Sequence, residues 1–211
     1  MDRTLTPQDH EALCDRIKAA EATTRGEIYC VVARASDGYF FPAAFMLAVG
    51  VMLASIAVGA WLDRDWQVVG HLGFALCQAA ALAAALVVLR LVPGLAIRLT
   101  PRALRYRRAH DNAVRQFLAH NVHLTERRTG VLIFVSLAER YATVVADAAI
   151  GDKVAQAEWD AIVERVVAAA KAGRLTEGLA DAIDKAGWLM AQHFPGGVSN
   201  PNELDDHVVE I

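Results

Sequence analysis

Glu27 and Asp147 are the two carboxylates whose setting could support chemistry. Each sits at the end of an apolar run, and each has cations nearby in the sequence. Arg127, Arg128, His123 and Thr125 supply charge and hydrogen-bonding groups suited to an anion such as phosphate. Hydrolysis would further need a nucleophile or a metal-held water, and Asp147 is suited to either role. This reading makes Asp147 and Glu27 the catalytic candidates and Arg128, Arg127, His123 and Thr125 the binding candidates. The metal is unknown, with a divalent ion such as calcium or magnesium left open. The plainer alternative is that Glu27 and Asp147 form structural ion pairs with the arginines at a sheet edge, a common arrangement worth little energetically. The histidines do not make a metal centre by themselves. His110 and His120 lie ten residues apart on one expected helix, about 15 Å along its axis. No CxxxxxR, DxDxT, Walker or GxGxxG pattern occurs.

The positions of these groups depend on the elements that carry them. Thr6-Pro7 with Asp9 signals a helix start, and Leu13, Ile17 and Ala20 continue it at helical spacing. Ile28 to Ala33 is a continuous apolar run of a strand buried on both faces. Thr100-Pro101 starts a second helix running to about His120. Gly130 introduces a second buried strand, Val131 to Val135. Leu137 to Arg140 is a turn, and Tyr141 to Ala146 is a third strand, antiparallel to the second. Two more helices follow, one carrying Trp159, Ile162 and Val166 and ending at Gly173, the other running from about Thr176 to His193. Ser199 to Ile211 reads as an irregular tail. The first two strands have a crossover between them and should be parallel. Arg25, Glu27, the Thr125 to Thr129 approach and Asp147 then converge at one end of the sheet. Backbone N–H groups of a helix starting near Asp152 and Lys153 are expected beside them. The opposite end, with Ala35 to Asp37 and the Glu139-Arg140 turn, leads into the first of two long apolar segments.

Those segments, Gly38 to Leu62 and Trp66 to Leu89, contain no Asp, Glu, Lys or Arg. At about 24 residues each they reach about 36 Å as helices, enough to cross a hydrocarbon core of about 30 Å. Only Asp63, Arg64 and Asp65 separate them, so they form a membrane hairpin. Gly50 with Ala54, Ser55 with Gly59, and Ala75, Ala79 and Ala83 suit close packing of the two helices. Arg64 is the loop's single cation, while Arg25 and Arg34 lie before the hairpin and six arginines fill Arg90 to Arg108. The positive-inside rule puts both termini in the cytosol. Met1 to Thr24 is polar and has no signal-peptide core. The basic stretch after the hairpin is a topology signal and an anionic-lipid contact rather than a nucleic-acid surface. The odd number of cysteines (Cys14, Cys30, Cys77), without CxxC spacing, indicates free thiols. The chain therefore divides into residues 1–37 and 90–211, two parts of one α/β domain, with the transmembrane hairpin at 38–89 between them.

The pattern resembles the TPM-domain family, in its bacterial branch where a membrane hairpin splits the domain. Thr24-Arg25-Gly26-Glu27-Ile28 and the run Arg128 to Arg140 (RTGVLIFVSLAER) carry the resemblance, with Asp147, Ile150, Trp159, Glu177-Gly178-Leu179 and His193-Phe194-Pro195. Ala149 and Asp205 stand where branch members often have Gly and Pro. The resemblance implies a compact α/β sandwich with a small mixed sheet flanked by helices. Some plant-type members are weak acid phosphatases or calcium binders, others act in assembly or repair of photosynthetic complexes, and most bacterial members have no assigned activity. The expected function is a membrane-tethered interaction, quality-control or assembly module at the bacterial inner membrane, partnered by the lipid bilayer and other membrane proteins. The alternative is a weak metal-dependent phosphohydrolase or phosphate-binding domain.

Overall fold

The computed structural model describes residues 5–64, 70–92, 94–125, 127–196 and 208–211. It separates into two units, residues 1–36 with 106–211, and residues 37–105. The first unit opens with helix α1 (Pro7–Glu21), fixed at its start by a reciprocal capping box. Thr6 Oγ1 accepts from the Asp9 N–H, and the Thr6 N–H donates to the Asp9 carboxylate. The Thr6 hydroxyl and then the Thr6 N–H hold the Asp9 carboxyl below its ordinary range.

Strand β1 (Glu27–Ala33) follows, and β2 (Gly130–Ser136) and β3 (Tyr141–Ala146) complete the expected trio. β1 and β2 pair in parallel with Cys30 opposite Ile133, and β2 pairs antiparallel with β3, with Ile133 opposite Val144. Every residue of β1 and β2 is buried, as their unbroken apolar runs require. Alternate residues feed two cores. Ile28, Cys30, Val131 and Ile133 face α1 and two later helices, while Tyr29, Val31, Leu132 and Phe134 face Ala113 and Phe117.

The chain's end corrects one expectation. The segment read as an irregular tail finishes in a fourth strand, β4 (Val208–Glu210), which pairs in parallel with β1 and completes the order β3-β2-β1-β4. Val208 is 3% exposed, so this strand closes part of the core. Three residues are too few for a periodic signal, and only the vacant flank of β1 selects them. The rest of that tail, 199–207, lies outside the described residues.

Four further helices belong wholly or largely to this unit: α5 (Arg102–Ala119), α6 (Ala148–Gly151), α7 (Gln156–Lys171) and α8 (Leu175–His193). Helix α8 crosses α1 so closely that Gly187 has no room for a side chain, since a Cβ would lie 2.7 Å from that of Ala20.

The second unit contains α2 (Phe40–Arg64), α3 (His71–Leu91) and the short α4 (Leu95–Leu99). Helices α2 and α3 are both long and apolar enough to cross a membrane, and few of their residues are buried. Their contact differs from the expected small-residue stripes. Ser55 and Gly59 do lie on the sheltered face of α2, where a Cβ on Gly59 would stand 4.0 Å from Phe74 Cζ, but Gly50 and Ala54 point outward. On α3 the sheltered stripe is Phe74, Gln78, Leu82, Leu86 and Leu89, while Ala75, Ala79 and Ala83 are exposed. A four-residue repeat occurs on every side of this Ala-rich helix, so spacing alone does not choose its packing face.

Cys30 sits at zero exposure in the middle of β1, and burial pushes its thiol up to about 12. The thiol therefore stays protonated where an exposed one ionises. Native protein at pH 8 should leave Cys30 unmodified by N-ethylmaleimide while denatured protein is fully labelled. Because the folded pKa lies above the unfolded one, this group's contribution is complete below about pH 9 and is lost as pH rises towards about 12. Rapid native labelling of Cys30, read by peptide mass mapping, would contradict the central-strand placement.

Candidate functional site

The parallel register brings the candidate residues to one end of the sheet. Glu27 lies opposite Gly130, and the Asp147 N–H donates to the Gly130 carbonyl at 2.9 Å. Glu27, Gly130 and Asp147 thus occupy three neighbouring tracks of the sheet. Alternation puts Glu27 and Gly130 on the face shared by Tyr29 and Leu132. Between them lies no open cleft. A Cβ on Gly130 would stand 2.1 Å from the Val122 carbonyl oxygen and 2.7 Å from its Cγ1. The 3-10 turn Val122–Leu124 therefore sits directly on the sheet at this point.

The segment before β2 is a tightly bonded ramp. Thr125 Oγ1 accepts from the Thr129 N–H at 3.0 Å, and the Thr125 carbonyl accepts from the Arg128 N–H at 2.9 Å. Thr129 Oγ1 donates to the Arg25 carbonyl at 3.0 Å, and the Glu27 N–H donates to the Thr129 carbonyl at 3.2 Å. Thr125 and Thr129 are buried, so their hydroxyls hold backbone in place. Arg128 adopts a left-handed backbone, φ 55°, which turns its side chain out.

Arg128 then returns to Asp147 with a two-pronged guanidinium. Its Nη2 donates to Oδ1 at 3.0 Å and its Nε to Oδ2 at 3.3 Å. This hydrogen bonding, and next the negative charge itself, pushes the Arg128 guanidinium up from its ordinary value. Asp147 Oδ1 also accepts from the Ala148 N–H at 2.6 Å, so Asp147 caps α6. Its side chain is 4% exposed, against 63% for Arg128. Both carboxylate oxygens are engaged, and a metal ion or attacking water would first have to displace Arg128.

The remaining candidates are spread around this pair. Glu27 is 1% exposed and closed to a dissolved ligand. Arg127 is on the surface. His123 is half-buried, with its ring 6.2 Å from that of Phe117 and its Nδ1 without a hydrogen-bond partner among the described residues. His110 and His120 point to separate tyrosines, Tyr141 and Tyr29. No group of three metal-ligating side chains forms among the described residues. The expected helix start near Asp152 and Lys153 is also revised. These residues terminate α6, and the long helix begins at Gln156. Asp147 itself occupies the N-terminus of α6, which leaves no vacant helix end at this site.

A second polar cluster lies at the other end of the sheet, where Ala35 to Asp37 and the Glu139-Arg140 turn were expected to meet. Glu139 is 2% exposed, accepts from the Ser36 N–H at 2.8 Å and bonds the Ser136 hydroxyl, while the Ser36 hydroxyl donates to Ser136 at 2.9 Å. Ser136 and Glu139 are three residues apart in the turn, and Ser36 comes from the far side of the hairpin insertion, so the hydrogen bonds that join them depend on the fold.

No sequence match was found among curated proteins. The chain is similar in structure to the BA42 protein of the psychrophilic bacterium Bizionia argentinensis, solved by NMR. The TM-score is 0.62 at 19% identity, over 100% of this chain and 98% of the other, which supports the shared fold. The family model for the TPM domain matches residues 95–188, which run from α4 through β2 and β3 into α8. Those residues hold the Arg128–Asp147 pair and the β2–β3 hairpin, and with them the chain carries a TPM domain.

Proposed function

We propose that this protein is a membrane-tethered interaction module that serves quality control or assembly of neighbouring membrane proteins. One observation carries the reading. The two apolar helices are inserted between β1 and β2, strands that pair in parallel along their whole length. Unlike a terminal anchor, such an insertion holds the domain by two chain connections and limits its rotation at the bilayer. The bilayer is that of the bacterial inner membrane, with both termini cytoplasmic, by the arginine distribution around the hairpin. Labelling intact cells with an impermeant thiol reagent tests this placement. Arg64→Cys should be labelled above the wild-type background and Asp160→Cys should not. Labelling of Asp160→Cys alone reverses the topology.

The second reading is a metal-dependent phosphohydrolase or phosphate-binding site at Asp147, favoured by the guanidinium beside it. Asp147→Asn separates the two. The amide keeps an oxygen to cap α6 but loses the charge-assisted fork. The mainly exposed partner limits the expected loss of stability to about 1 kcal/mol. The interaction module predicts that Asp147→Asn complements a deletion strain and that wild-type protein lacks turnover of generic phosphate esters with calcium or magnesium. Metal-dependent turnover abolished by Asp147→Asn, with thermal unfolding unchanged, would establish the second reading instead.

A further inference from the structure

Strand β3 forms one edge of the sheet. The Asp147 N–H donates to Gly130 across the β2–β3 ladder, which sets the hydrogen-bonded pairs at 132/145, 134/143 and 136/141. Ala142, Val144 and Ala146 therefore turn their N–H and C=O groups away from β2. Among the described residues no strand lies beyond β3, and these outward groups have no hydrogen-bond partner. The strand reads Tyr-Ala-Thr-Val-Val-Ala and contains no lysine, proline or inward charge of the kind that blunts an exposed edge.

Helix α7 packs along the same strand. At the β2–β3 turn the two enclose a cavity of about 300 Å3. Its lining is mixed: Val135, Ala142, Val166 and Ala170 are apolar, Ser136 and Tyr141 add hydroxyls, and its cations are Arg140 and Lys171. The cavity matches the lower end of the range for ligand sites, about 300–1,000 Å3. Arg140 holds a left-handed backbone, φ 54°, where glycine or asparagine would be relaxed. A bulky cation kept in such a turn directs attention to its side chain. Neither cation takes part in an ion pair found among the described residues.

An edge of free backbone groups, a partly apolar socket at one end and two cations at that socket define one ligand chemistry. We propose that β3 and α7 bind the extended C-terminal peptide of a partner protein. The peptide adds antiparallel to β3 as a further strand, its last apolar side chain enters the cavity, and its terminal carboxylate meets Arg140 and Lys171. An acyl chain would fill the socket but leave the strand edge unused, so a peptide accounts for more of the surface. This proposal rests on the interaction-module reading and gives that module its partner class.

The test uses full-length protein in detergent and a displayed library of random heptapeptides with free C-termini. The most enriched peptide is then fluorescein-labelled and titrated by anisotropy. The expected result is an apolar last residue, with binding weakened at least about tenfold by amidating the carboxylate or by Arg140→Glu with Lys171→Glu. Val144→Pro removes one outward N–H without touching the β2 ladder, and should also weaken binding about tenfold. Circular dichroism melting shows whether each variant keeps its fold, and Lys171→Glu alone serves if Val144→Pro does not. No enrichment, or binding indifferent to amidation and to these variants, overturns the proposal. Photo-crosslinking in cells tests the module reading separately. Partners crosslinked equally by wild type and the variants leave the module standing without this groove, and the absence of crosslinked membrane proteins removes both.

Discussion

Ile133→Asp is expected to unfold the α/β domain. Ile133 is 2% exposed at the middle of β2, opposite Cys30 on one side and Val144 on the other. Its side chain belongs to the larger core, a cluster of apolar side chains. Aspartate there must either carry an unpaired charge or take up a proton, and it also leaves the volume of isoleucine unfilled. The expected loss is about 4 kcal/mol or more, a large share of the roughly 5–15 kcal/mol that holds a domain folded. Expression level, protease resistance in detergent and the melting transition all read it. A variant with wild-type melting would refute the β1–β2–β3 arrangement, since Ile133 could then not be central.

Gly130→Ala should be the most damaging single methyl group in the candidate site. The new carbon would meet the Val122 carbonyl oxygen at 2.1 Å, and a backbone atom cannot swing aside as a side-chain end does. Either the 3-10 turn lifts from the sheet or β2 shifts at its first residue. Overpacking of this kind costs about 1–3 kcal/mol, and here the upper figure is expected, roughly a 10 °C fall in melting temperature. The same movement would disturb the Asp147 N–H bond to the Gly130 carbonyl. Gly26 gives a milder comparison at the neighbouring strand. There a Cβ meets the flexible end of Met190 at 2.0 Å and the Thr129 carbonyl at 2.9 Å, so part of the clash can relax. Equal melting of Gly130→Ala and wild type would show that Val122 does not seat on β2.

Where a signal is local, the residues announce the structure. Thr6, Pro7 and Asp9 specify the start of α1 because a capping box closes within four residues. The apolar runs around Ile28 and Ile133 identify buried strands because no polar face interrupts them. Parallel pairing of β1 with β2 follows from the crossover between them, and it places Glu27 and Asp147 at one end before any coordinate is known. The two apolar segments declare themselves by length, since about 20 residues without charge match a bilayer and exceed an ordinary core helix.

The contacts between distant residues were not legible in this way. Arg127 and Arg128 are chemically equal in sequence, and only the left-handed turn at Arg128 aims one of them at Asp147. Parallel pairing brings Ser36 to the same end as Glu139, but the hydrogen bonds that join Ser36, Glu139 and Ser136 are set by the fold. Val208 to Glu210 is a strand because β1 has a free flank, not because three residues favour one. Alone, then, the sequence determined the order of elements, the pairing of the first two strands and the apolar hairpin, all products of periodicity, capping and chain connection. The tertiary structure decided that Asp147 is clasped by Arg128 and caps α6, that Val122 fills the space over Gly130, and that the outward edge of β3 stays open. Each of these depends on which backbone approaches which within about 3 Å, a quantity that residue type and spacing do not carry.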